Sequence, residues 1–153
     1  MARVNGTVGS TRGFSNSVNA FVKKSQVKRQ EAYHEGLKDF AAALQANAPI
    51  LSGNLRASQQ TSLAGAVMAG PYKEYGSAYN LAASNAVIDS AGEGDRVVIS
   101  YRAPYARRQE YGFTGVDSLG RYYSHAGKYW IARTSKQFVS IMRAAATRVR
   151  NKS

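Results

Sequence analysis

From about Val18 to Asn47 apolar side chains recur at intervals of three and four: Val18 and Val22, then Tyr33, Leu37, Phe40, Ala41 and Leu44. That spacing predicts one long amphipathic helix. In its middle, Gln26, Arg29 and Gln30 take positions where the stripe calls for apolar residues. That part is therefore expected to project from the core or to meet a neighbouring subunit. Gly36 costs about 1 kcal/mol against alanine without breaking the pattern. The run ends in Ala48–Ser58, A-P-I-L-S-G-N-L-R-A-S. Pro49 cannot donate within a helix and drives the residue before it out of helical geometry. Ser52-Gly53-Asn54 supplies turn chemistry, with Gly53 free to take positive φ. Leu55 is expected to turn to the core and Arg56 to stay on the surface, which makes this stretch a structural corner.

Downstream the period shortens. Gln59–Ala69 permits a strand through Thr61, Leu63 and Val67; Gly70-Pro71 breaks it, and Tyr72–Gly76 is an aromatic loop. Ser77 can cap a short helix reaching about Ser90, with Ala78, Leu81, Ser84 and Ile88 along one side. Arg96–Arg102, R-V-V-I-S-Y-R, is the strongest strand, β-branched and bounded by turn residues. Ala103-Pro104-Tyr105 bends it, and Ala106–Phe113 is expected to run on as sheet toward a hairpin tipped by Gly115 and Gly120, returning through Arg121-Tyr122-Tyr123. Lys128–Arg150 predicts a final helix with Ile131, Phe138, Ile141, Met142, Ala145 and Val149 on one face. Trp130, near its start, is read as core. The fold class expected is α+β: a long N-terminal and a C-terminal helix packed on a small antiparallel sheet, with a short helix inserted. Residues 1–17, rich in Gly, Ser and Asn, read as a flexible basic arm with Phe14 as its first anchor; 18–150 form one domain, and 151–153 a tail.

At 153 residues the chain can bury a modest core, and with no cysteine it does so without disulfides or thiolate–metal sites. No stretch approaches the ~18 apolar residues of a membrane span, and the start lacks a signal-peptide apolar block. A soluble protein, intracellular at synthesis and without a membrane partner, is expected.

Charge alters the picture most. The formal net charge is +12, and it is segregated. Every side chain charged at neutral pH before Glu31 is basic, and so is every one from Arg121 on. Lys23, Lys24, Lys28 and Arg29 in the first helix, and Lys136, Arg143 and Arg150 spaced by seven in the last, are candidate contacts for a polyanion or an acidic protein. The simpler reading of such stripes is a solvated face.

Catalytic chemistry is not visible. His34 and His125 stand in unrelated contexts, His34 read as a surface residue, and the carboxylates form neither a zinc motif nor a general acid–base pair. Gly92-Glu93-Gly94-Asp95 alternates glycines, but no Lys-Ser/Thr follows, so it is not a phosphate loop. Glu110 is the one carboxylate set among aromatics, and a structural ion pair with Arg56, Arg102 or Arg107 is its expected role. No catalytic residue, cofactor, metal or small-molecule substrate is expected.

Three words in order carry a resemblance: the corner with Pro49, Ser52, Gly53, Leu55, Arg56 and Ser58; Gly94, Asp95, Val97 and Ile99; and Pro104, Tyr105, Ala106, Glu110, Tyr111 and Gly112. With the flanking helices, spanning roughly Val18 to Ala146, the chain resembles the neck or tail-completion family of tailed bacteriophages, including its tail-terminator-like members. The resemblance implies a structural virion protein. Its copies would form a ring, six being the expectation, at the head–tail junction, made in the host cytoplasm. Partners would be further copies, the connector or neck proteins, the tail tube or terminator, and the DNA in the channel. It also implies structural roles: Pro49, Gly53 and Arg56 holding the corner, and Tyr105, Glu110 and Gly112 holding a sheet edge. The alternative is a basic nucleic-acid-binding module built on the same cations and exposed tyrosines.

Overall fold

A computed structural model describes residues 8–50, 53–63 and 81–152, with side chains from Arg12 onward. Leu51, Ser52, the second half of the expected first strand, the aromatic loop 72–76 and the Ser77 cap lie outside the described residues. The fold is α+β, as the periodicities indicate. Helix α1 (Val8–Asn47) leads to a single-turn helix α2 (Asn54–Ala57) and strand β1 (Gln59–Leu63). Then come α3 (Ala82–Ser90), β2 (Val97–Tyr101), α4 (Ala106–Tyr111), β3 (Gly112–Val116), β4 (Tyr122–Ala126), α5 (Trp130–Ser135) and α6 (Phe138–Asn151).

Helix α1 has 40 residues and so is about 60 Å long. It begins at Val8, ten residues before its expected start, so the stretch 8–17 read as an arm is helical. Only its second half is packed. Leu37, Ala41 and Leu44 are buried, whereas every residue from Arg12 to Val27 is exposed. Phe14, expected as an anchor, is 71% exposed.

The expected single sheet is two separate antiparallel ribbons. β1 pairs with β2 in the register Gln59↔Tyr101 to Leu63↔Val97, and β3 pairs with β4 from Gly112↔Ala126 to Val116↔Tyr122. The first ribbon lies on α1 and α3 over a core of Leu37, Ala41 and Ile88, flanked by Tyr33, Val97 and Ile99. A second core gathers Ala48, Leu55, Ala103, Ala106 and Trp130, with Tyr101 and Tyr105 against it. Trp130 is wholly buried and meets Tyr101 edge-on at 5.4 Å between ring centroids.

The C-terminal helix is interrupted. Lys136 and Gln137 separate α5 from α6, and the Thr134 carbonyl accepts from Gln137 N–H at the break. The break lets α5 turn Trp130 into the second core while α6 runs antiparallel to α1. There Phe138 packs edge-on against Phe40, and a Cβ on Gly36 would collide with the sulfur of Met142. Ala145 and Val149 of the expected stripe are buried, while Ile131 and Phe138 sit at the solvent boundary. No helix among the described residues is long and apolar enough to cross a membrane.

Candidate functional site

The corner joins five elements. Gly53 takes φ +84 to start α2, a value an L side chain rarely adopts. Leu55 is buried. Arg56 does not lie free on the surface: its Nε donates to the Ala48 carbonyl at 3.0 Å and Nη2 to the Ala46 carbonyl at 2.6 Å. A guanidinium at that position satisfies carbonyls that the end of α1 leaves open and faces the negative end of its dipole. Ser58 Oγ donates to Leu55 O, Asn54 Nδ2 to the Tyr105 hydroxyl and Asn47 Nδ2 to Thr134 Oγ1, at 2.7, 2.9 and 3.0 Å. Gln59 Nε2 donates to Ala41 O and its Oε1 accepts from the Tyr101 hydroxyl, at 2.8 and 2.9 Å. Burial pushes that hydroxyl up to about 12. Asn47, Gln59 and Thr134 gave no sequence signal, because the contacts that tie them to other elements span 18 to 87 residues.

The expected sheet edge is instead a helix. Ala106–Tyr111 forms α4, Tyr105 precedes it, and of the motif only Gly112, at φ +85, belongs to a strand. Glu110 is 3% exposed and faces backbone amides where an arginine was expected. Its two carboxylate oxygens accept from Ile131 and Ala132 N–H, each at 3.0 Å. It therefore caps the start of α5 from another helix, where a carboxylate matches the open amides and the dipole. The Gln109 and Glu110 carbonyls accept from Lys128 and Tyr129 N–H, so α4 fastens both the hairpin base and α5.

His34 is also not a surface residue. Its side chain is 14% exposed, and Nε2 lies 2.9 Å from the Ala91 carbonyl, which Gln30 shares. The pair ties α1 to the end of α3.

The basic candidates do not converge on one site. Lys23 and Lys24 stand on the bare half of α1, with Lys28 a turn on. Arg29 pairs with Glu93. Lys136 lies in the helix break, so only Arg143 and Arg150 share a face of α6. Arg29 and Arg143 do meet across an apolar groove of about 410 Å³ between α1 and α6, which Tyr33, Val139 and Met142 line.

The acids are spent internally. Glu31 pairs with Lys152, Glu35 and Asp89 with Lys38, Asp39 with Arg148 and Glu93 with Arg29. Asp95 accepts from Gly92 N–H, and Glu110 caps α5. Asp117 clasps the hairpin tip: Arg121 N–H above all, then its guanidinium and Leu119 N–H, hold that carboxyl below its usual range. Glu74 lies outside the described residues. The positive excess thus has no matching acidic surface among the described residues.

Two elements stand out from the body. One is the bare half of α1. The other is the β3–β4 hairpin, whose β4 is exposed throughout and which carries Val116, Leu119 and Tyr122 at 59, 74 and 69% exposure. A two-stranded ribbon is marginal by itself in water, and unpaired strand edges invite a further strand. Among the described residues no group of three or more His, Asp or Glu is placed to hold a metal ion.

Neither the curated proteins nor the solved structures give a match. A family model, described as "Bacteriophage HK97-gp10, putative tail-component", matches residues 12–112, from the bare half of α1 through the corner and both β1 and β2 to the first residue of β3. That span takes in the three sequence words and about two thirds of the 153 residues, and the chain belongs to this HK97-gp10-like family of bacteriophage tail components.

Proposed function

We propose that the chain is a structural virion protein of a phage neck. Its copies close as a ring, six being the expected number, at the head–tail junction. The ring completes or terminates the tail and joins it to the head connector. One observation carries this reading. A body tied together at the corner presents two outward elements, α1 before Val27 and the β3–β4 hairpin, whose large apolar side chains face water. Exposed apolar surface of that extent marks contact with other proteins. Further copies, connector or neck proteins and tail-tube or terminator proteins are its partners, and the basic faces meet acidic neighbours or channel DNA.

The mass of the purified protein at physiological salt, with and without duplex DNA, tests this. A multi-copy ring unchanged by DNA is expected. A strict monomer, both alone and with neck partners, overturns it. The unmatched positive charge favours a second reading, a nucleic-acid-binding module. A monomer that moves onto DNA and leaves it as salt rises would establish that reading instead.

A further inference from the structure

The bare half of α1 carries a continuous seam. Phe14 and Ala32, Val18 and Gly36, and Val22 and Phe40 are each eighteen residues apart, which is about five helical turns and so the same face. Gly36 and Phe40 pack on α6 through Met142 and Phe138. α6 ends at Asn151, with Lys152 paired to Glu31. The seam is therefore covered from about Glu31 onward and open before it. Phe14 and Phe21 are each 71% exposed, with Val18 and Val22 at 41 and 45%. Together these four offer roughly 400 Å² of apolar surface, about half of what one side of a stable interface needs.

Charge selects the occupant. Residues 13–22, G-F-S-N-S-V-N-A-F-V, contain no ionisable side chain, and the lysines begin only at Lys23. The groove between α1 and α6 is apolar, lined by Tyr33, Phe138, Val139 and Met142, and rimmed by Arg29 and Arg143. An uncharged helical segment enters an arginine-rimmed groove without like-charge conflict, and its Ser and Asn side chains offer acceptors to the rim. DNA would use the lysines but leave both phenylalanines in water.

We infer that Phe14, Val18, Phe21 and Val22 of one copy seat in the α1–α6 groove of a second copy. Stripe and groove are different surfaces, so the contact can run head-to-tail, which propagates and closes as a ring when the rotation allows. This rests on the self-assembly proposed above and names the contact that makes it.

Paired variants test the assignment. Phe14→Ala with Phe21→Ala removes the stripe, and Val139→Glu places a charge in the groove. Both act at solvent-exposed positions of the single chain, and circular dichroism melts check that each still folds. Each variant alone is expected to be monomeric in analytical ultracentrifugation, with association weakened at least about a hundredfold. Mixed, they should form a 1:1 pair and nothing larger, because one good stripe and one good groove remain. If either variant keeps the wild-type ring, or if the mixture stays monomeric, the contact is wrong while the ring reading stands. A wild type that is monomeric even at high concentration overturns the contact, and one that stays monomeric with neck partners as well overturns both.

Discussion

Tyr101 lies where β2 reaches the corner, its ring against Trp130 and its hydroxyl on Gln59. Burial raises its pKa from 10.0 to about 12, so the folded state holds the proton after the unfolded chain has released it. The resulting stabilisation is whole below pH 10 and lost as pH rises through 12, a swing on the order of 2–3 kcal/mol. Urea unfolding across that range should show Tyr101→Phe with a flatter decline than the wild type; parallel curves would mean the hydroxyl is not buried. Glycines give a second contrast. A Cβ on Gly127 would strike the Glu110 carbonyl and Tyr111 backbone, and one on Gly112, at φ +85, would lie 2.7 Å from Gly127 N. Alanine at either site should cost about 2–4 kcal/mol in thermal melts. At Gly36 only the flexible Met142 tip must yield, and the helix regains about 1 kcal/mol of propensity, so Gly36→Ala should be much milder. Some of this was legible from sequence. Gly53 in a turn and Leu55 facing inward follow from local rules. Glu110 does not, since the amides it caps come 21 and 22 residues later, and neither does Arg56, whose guanidinium finds its acceptors at the end of α1.

At the scale of elements, structure departs from sequence pattern where local pattern and tertiary packing diverge. Ala106–Tyr111 follows a strong strand and precedes a hairpin, which favours reading it as sheet. Yet A-R-R-Q-E-Y is mostly strong helix formers, and the helix is what brings Glu110 beneath α5. The last helix departs from its pattern for the opposite reason. Ile131 and Phe138, like Lys136 and Arg143, keep a seven-residue spacing straight across the break at Lys136–Gln137, so periodicity gives no sign of it. The break lets Trp130 enter the second core while Phe138 packs against Phe40 of α1, and that division explains the interruption. Loss of the cap should show in these elements. Glu110→Ala leaves the amides of Ile131 and Ala132 unpaired in a part-buried site and is expected to cost about 2–3 kcal/mol. Glu110→Gln, which keeps one acceptor, should cost less, and equal losses would argue against capping. Asp117→Ala is expected to act locally. Amide exchange at Leu119 and Arg121 should speed up while the global melting temperature hardly changes, because the clasp lies on the exposed hairpin.

For the whole molecule, charge and assembly pull in opposite directions, and that opposition is measurable. Each copy carries a formal +12, and the described acids are already engaged within the chain, so neighbouring copies in any ring repel one another. The surfaces proposed to hold them together, the uncharged stripe of α1 and the apolar groove beside α6, draw on burial of apolar area rather than on ion pairs. Added salt screens the repulsion, with the Debye length falling from about 10 Å at 0.1 M to about 3 Å at 1 M, and leaves apolar burial intact or strengthened. Self-association should therefore tighten as salt rises. Binding to a polyanion behaves in the reverse sense, because the counterions released on contact are worth less in concentrated salt. Sedimentation of the full chain across a salt series, with and without duplex DNA, separates the two. Growth toward a ring at higher salt, with any DNA complex dissolving over the same range, fits a tail component whose basic faces are secondary to its apolar contacts. A ring that falls apart as salt is added would place ion pairs between copies at the centre of assembly, and the stripe-and-groove contact would have to give way to them.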